Sequence, residues 1–139
     1  MIVLDTNVLS EALRPSPDAA VLAWLEAQPA MALFTTSITR AEVFYGLCLL
    51  PKGRRRDQLH EAVTAIFDED FGHRTLPFDD PAADAYAQVA AARRSMGRPI
   101  SQFDAMIVGI ARSRGAALAT RNARDFEDCG VALINPWLA

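Results

Sequence analysis

A chain of 139 residues, 51% apolar and 22% charged, has the profile of an ordinary globular protein, and one domain spanning 1–139 buries enough surface to need no staple. Its two cysteines, Cys48 and Cys129, lie far apart with no CxxC or Cys/His pairing, which excludes a zinc ribbon and a disulfide framework. The net charge of −3 argues against a uniformly basic nucleic-acid-binding surface.

The first residues, MIVL, form a short apolar run that reads as a strand buried on both faces and closed by Asp5. A helix at about 7–13 is stopped by Pro15 and Pro17, and a second at about 18–28 carries Val21, Leu22 and Leu25 on one face before Pro29. MALFTT, about 31–36, predicts the second strand. From Thr39, the residues Ala41, Val43, Phe44, Leu47 and Leu50 recur at helical spacing up to Pro51. After the basic turn PKGRRR, another amphipathic helix at about 54–70 carries Leu59, Val63, Ile66 and Phe67. A short strand around RTLPF leads to Pro81 and an Ala-rich helix to about 96, halted at Gly97 and Pro99. A helix at about 102–114 stops at Gly115. Strand ALAT, a turn of helix at RDF and strand VALI follow, before Asn135-Pro136.

Strands alternating with helices predict an α/β fold, a three-layer sandwich with a central parallel sheet. In such sheets, ligands bind at the carboxyl ends of the strands, where the topology switches direction. No apolar run approaches the ~18 residues of a membrane span, and the opening lacks the basic start of a signal peptide. The expected location is the cytoplasm, with no membrane contact.

Acidic and polar residues recur where that edge is expected. Asp5 ends the first strand and is followed by Thr6 and Asn7; Glu42 and Asp104 lie in first turns of helices; Asn122 and Asp125 follow strand ALAT and Thr120. Thr39-x-x-Glu42, Ser101-x-x-Asp104 and Asn122-x-x-Asp125 also match or approach capping boxes, in which the acid only satisfies a helix terminus. Converging carboxylates repel one another unless a cation joins them, and magnesium and manganese prefer such oxygen donors. Thirteen of the fourteen basic residues are arginine, clustered at 52–56, 93–98, 112–114 and 121–124. Each cluster is either a solvated helix face or, as for Arg121 and Arg124 beside the acids, a phosphate contact.

Other chemistries lack their signatures. His60 and His73 read as surface residues, and there is no phosphate-binding GxxxxGK[ST] loop, GxGxxG turn or GxSxG elbow. A phosphorylated receiver would need a lysine across the site, and the only lysine, Lys52, lies in a turn between helices.

The segments LDTNVLSE, TRAE around Glu42, DAMIVGIA from Asp104, ATRNARDF and INPW, in this order and spacing, resemble the PIN-domain family, and within it the VapC and FitB toxins of bacterial type II toxin–antitoxin pairs. The resemblance covers essentially the whole chain. It implies a PIN-like α/β/α sandwich and a magnesium- or manganese-dependent endoribonuclease. It also implies a toxin homodimer, neutralised by a cognate antitoxin and reaching operator DNA only through it. Carried over, Asp5, Glu42 and Asp104 match the metal-binding acids, and the fourth catalytic position falls on Asn122, a neutral amide. Asp125 either compensates or caps its helix; Thr6, Asn7 and Thr120 are supporting groups. The neutral Asn122 leaves a second reading open, a weakly active PIN-like subunit serving mainly in a DNA-binding repressor complex. A DNA-directed nuclease is a further rival. The helices at about 7–13 and 39–50, with Val8, Leu9, Phe44, Tyr45 and Leu49, are either antitoxin surface or core.

Overall fold

A computed structural model describes residues 1–139. Five strands, β1 (Ile2–Leu4), β2 (Leu33–Thr36), β3 (Thr75–Leu76), β4 (Ala117–Ala119) and β5 (Leu133–Ile134), form a wholly parallel sheet in the order β3-β2-β1-β4-β5. Six α-helices cover it: α1 (Thr6–Ala12), α2 (Ala19–Ala27), α3 (Ser37–Cys48), α4 (Arg54–Ala65), α5 (Asp80–Ser95) and α6 (Gln102–Ser113). β1 lies at the centre, pairing Ile2 with Leu33 on one side and Val3 with Leu118 on the other. The chain therefore switches direction across the sheet at β1, and Asp5 stands at that switch.

Two apolar cores explain the three layers. Leu4, Val8, Leu47, Phe67 and Ala119 pack between the sheet and α1–α4. Val3, Val89, Ile107, Ile110 and Leu118 pack between the opposite face and α5–α6. Adjacent residues such as Val3 and Leu4 enter opposite cores, as the two-residue period of a strand requires. Each side chain of this size stabilises the fold by ~1.5–3 kcal/mol when fully buried. Helices α5 and α6 touch nearly backbone to backbone at Gly109, where a Cβ would stand 2.9 Å from the Ala82 carbonyl oxygen and 3.0 Å from the Tyr86 nitrogen.

The structure amends several sequence expectations. The helix expected over 54–70 ends as α-helix at Ala65, and Ile66–Asp70 form a π-turn with the Phe71 N–H donating to the Ile66 carbonyl at 2.9 Å. That wider turn keeps Phe67 and Phe71 both in the core, with ring centroids 6.3 Å apart. Ala30–Ala32 form a 3-10 turn after Pro29, so β2 begins only at Leu33. VALI contributes only Leu133–Ile134 to the sheet. Helix α3 starts earlier than expected because Thr36, not Thr39, is its cap and accepts from the Thr39 N–H. No helix is long and apolar enough to cross a membrane.

Candidate functional site

Asp5 caps α1 and is only 4% exposed. One carboxylate oxygen accepts from the Thr6 N–H at 2.8 Å and the other from the Thr120 hydroxyl at 2.8 Å. Thr120 is itself fully buried and accepts from the Asn122 N–H at 3.1 Å and from the Asn7 amide at 3.4 Å. Asn7 in turn accepts from the Arg121 N–H at 3.3 Å. The ends of β1 and β4 are thus stitched together around one carboxylate.

Glu42 enters from α3. Its carboxylate accepts from the Thr6 hydroxyl at 2.8 Å, which stands 2.9 Å from the Thr39 hydroxyl; Thr36 donates to Thr39 at 3.3 Å. Each hydroxyl has one hydrogen, so the chain has a single sense, from Thr36 through Thr39 and Thr6 to Glu42. Thr39 therefore supports Glu42 through Thr6 rather than boxing the helix terminus. Asp104 lies in the first turn of α6, where Ser101 caps the Asp104 N–H at 3.3 Å, as the sequence allowed. The Asn122 side chain, by contrast, makes no cap bond, and Asp125 is exposed in the short 3-10 turn Ala123–Phe126.

Electrostatics tie these acids into one site. Burial, then the charges of Asp104 and Glu42, outweigh the bonds from Thr120 and Thr6 and push the Asp5 carboxyl up to about 6. Asp104 is also raised, by burial and by the Asp125 charge, against the help of Ser101. None of the four acids belongs to an ion pair; the molecule's five pairs use Glu11, Asp68, Asp79, Glu127 and Asp128. No three of them stand close enough to make a ready-built cage. The donor set is nevertheless carboxylate and hydroxyl oxygen without His or Cys. It fits a hard divalent cation that keeps several waters and touches one or two carboxylates directly.

The remaining expected residues divide. Arg121 is exposed beside this edge with its guanidinium 5.1 Å above the Trp137 ring, and Arg124 is exposed in the 3-10 turn. His60 and His73 are exposed, His60 lying edge-on to Phe44. Val8 and Leu9 belong to the core, whereas Tyr45 and Leu49 are 67% and 66% exposed.

Arg93 departs from its reading as part of a surface cluster. It is 5% exposed and donates to the carbonyls of Arg98 at 2.8 Å, Asp125 at 2.6 Å and Glu127 at 3.2 Å, so it clamps the loop that carries Asp125. The sequence signal for it was periodicity: Arg93 extends the buried stripe Ala82, Ala85 and Val89 of α5. For Thr36 the signal was its place at the end of β2, matching Asp5 at the end of β1.

Comparison with known proteins identifies the family of this fold. Residues 2–131 match the model of the PIN domain. The chain is 42% identical to the plasmid stability protein StbB of Pseudomonas syringae pv. tomato, over 100% of both chains. It is 40% identical to the VapC ribonuclease Y4jK of Sinorhizobium fredii, over 99% of this chain and 98% of that one. To the toxin FitB of Neisseria gonorrhoeae it is 39% identical, over 99% of each. Its fold superposes on the crystal structure of FitAcB from Neisseria gonorrhoeae with a TM-score of 0.94 at 38% identity, covering 100% of both chains. The structure of FitAB bound to a DNA fragment gives 0.93 at 39% identity, covering 99% and 96%. The chain belongs to the PIN-domain family, on the branch it shares with its VapC and FitB relatives.

Proposed function

We propose that this chain, acting as one domain, is a magnesium- or manganese-dependent endoribonuclease and the toxin half of a toxin–antitoxin pair. What supports the reading is a set of acids without basic partners at the edge where the sheet switches direction, Asp104 and Glu42 acting by charge on Asp5 and Asp125 on Asp104. Asp5, Glu42 and Asp104 would hold the cation, directly or through its waters, with Asn122 at the fourth position and Asp125 close behind it in sequence able to supply the missing charge. A divalent cation bound there supplies a water of lowered pKa and neutralises charge on the phosphoryl oxygens.

The protein's own residues do the positioning. Thr6 and Thr120 fix both oxygens of Asp5, Thr6 also orients Glu42, and Arg121 and Arg124 meet flanking phosphates. Ionised Asp5 is the form that serves, so the cation-free protein takes up a cation more readily as pH rises through about 6. The names of the relatives, a ribonuclease and a toxin, support the activity, and the FitAB–DNA structure supports an antitoxin that carries the toxin to operator DNA. A cytoplasmic homodimer completes the reading.

Purified protein with magnesium or manganese should cleave a mixed RNA panel, and Asp5→Asn and Asp104→Asn should not. Cleavage by these variants at the parental rate would overturn the reading. The neutral Asn122 favours one rival, a weakly active subunit of a repressor complex. Induced expression separates them: a nuclease toxin arrests growth until its acids are replaced or its partner is supplied.

A further inference from the structure

The turn between α3 and α4 carries four cations in five residues: Lys52, Arg54, Arg55 and Arg56. Lys52, Arg54 and Arg55 are exposed and Arg56 is half-buried, and none enters an ion pair. They line a hollow of about 490 Å³ whose only apolar wall is at Leu50 and Pro51. Gly53, with φ of 155°, heads α4 without a side-chain cap, so the positive end of that helix faces the same hollow.

A second observation connects this turn to the acids. A groove of about 390 Å³ between α1, α3 and α4 opens at Thr6 and Glu42 and runs past Gly46 to Leu50. Leu50 also walls the basic hollow, so the two spaces lie on either side of that residue. At ~1.5 Å per residue, α3 and the turn that ends it run about 12 Å from Glu42 to Leu50, the length of about four stacked nucleotides at ~3.4 Å each. Arg121 and Arg124 lie on the other side of Asp5, after β4.

A polyanion approaching four carboxylates on a chain of net charge −3 must gain its attraction away from the cut bond. We propose that the basic turn 52–56 is a phosphate-binding surface that grips single-stranded RNA about four nucleotides from that bond, on the α3 side. The proposal rests on the nuclease reading. The groove itself is lined mostly by apolar side chains, but the basic hollow at its end has little apolar wall, which favours a repeating phosphate chain there over a protein segment needing an anchor pocket.

The test uses Asp104→Asn protein, which does not cut, and fluorescent single-stranded RNAs of 4 and 12 nucleotides titrated at several salt concentrations. Combined Arg54→Gln, Arg55→Gln and Arg56→Gln should weaken 12-mer binding at least ~10-fold at low salt. The log–log salt slope should fall by about 2, from three contacts at ~0.7 each, with the 4-mer unchanged. Replacing the same three arginines by lysine should keep most of the slope and checks that the turn is intact. Equal slopes and affinities in the glutamine variant would overturn the proposal alone. Failure of the parent to bind either RNA would remove the nuclease reading as well. A glutamine variant that keeps RNA but loses a co-expressed antitoxin would reassign the surface to the partner.

Discussion

The two halves of the acidic edge are built differently. On the Asp5–Glu42 side, both carboxylates are held by protein donors: Asp5 by the Thr6 N–H and the buried Thr120 hydroxyl, Glu42 by the half-buried Thr6 hydroxyl. On the Asp104–Asp125 side, one exposed serine cap and a 3-10 turn do the work, with Arg93 donating to the Asp125 and Glu127 carbonyls. The first half is organised by the fold before any ligand arrives. The second half is held by fewer and more exposed contacts, which leaves room for a cation that retains much of its water.

Asp5→Asn breaks the preset half and has the largest expected effect. RNA cleavage should fall beyond the ~10–100-fold typical of losing a supporting partner. Stability should move the opposite way. The folded carboxyl titrates at about 6 against an ordinary 3.8, so its favourable contribution is full below 3.8 and is lost as pH rises through about 6. Above that, ionised Asp5 costs the cation-free protein up to about 3 kcal/mol. Melts from pH 4 to 8 in chelator should show the parent losing stability across that window, the variant not, and added magnesium restoring the parent.

Thr120→Val tests whether the hydroxyls truly preset the geometry. Stripping the donor from a buried carboxylate should cost ~1–3 kcal/mol and raise Asp5 further, moving the acid limb of the pH–rate profile to higher pH. An unmoved limb with only a lower melting temperature would reduce Thr120 to a packing role. Asp125→Asn addresses the more exposed half: cation affinity, read by manganese titration, should fall several-fold to about tenfold, and Asp104 should titrate lower for want of its neighbour's charge. Ser101→Ala has the smallest expected effect, ~1 kcal/mol of helix capping. If it matched Thr120→Val in the pH profile, the contrast between the halves would fail.

The layers and the order of elements were legible because β1 is a short, wholly apolar run and α6 a strongly one-sided helix, features that local pattern carries. Asp5 was legible for the same reason, being the first polar residue after a buried strand. Thr39-x-x-Glu42 stayed ambiguous because a capping box and a hydroxyl relay use the same residues at the same spacing; the start of α3 two residues earlier distinguishes them. Arg93 was misread because charge outweighed periodicity, although a guanidinium can be buried where carbonyls converge on it. The sequence left Asn122 and Asp125 as alternatives because both fall in a turn too short for any pattern to aim.

The alternation of Val3 and Leu4 between the two cores has a consequence for how this sequence can change. A single-residue insertion or deletion in β1 would exchange those side chains between layers and turn Asp5 away from Thr120. The same slip would spoil packing above and below the sheet together with the carboxylate constellation. Length variation in relatives that keep the activity should therefore be confined to the helix connections, and the three residues before the aspartate should be invariant in number while free in identity among apolar types.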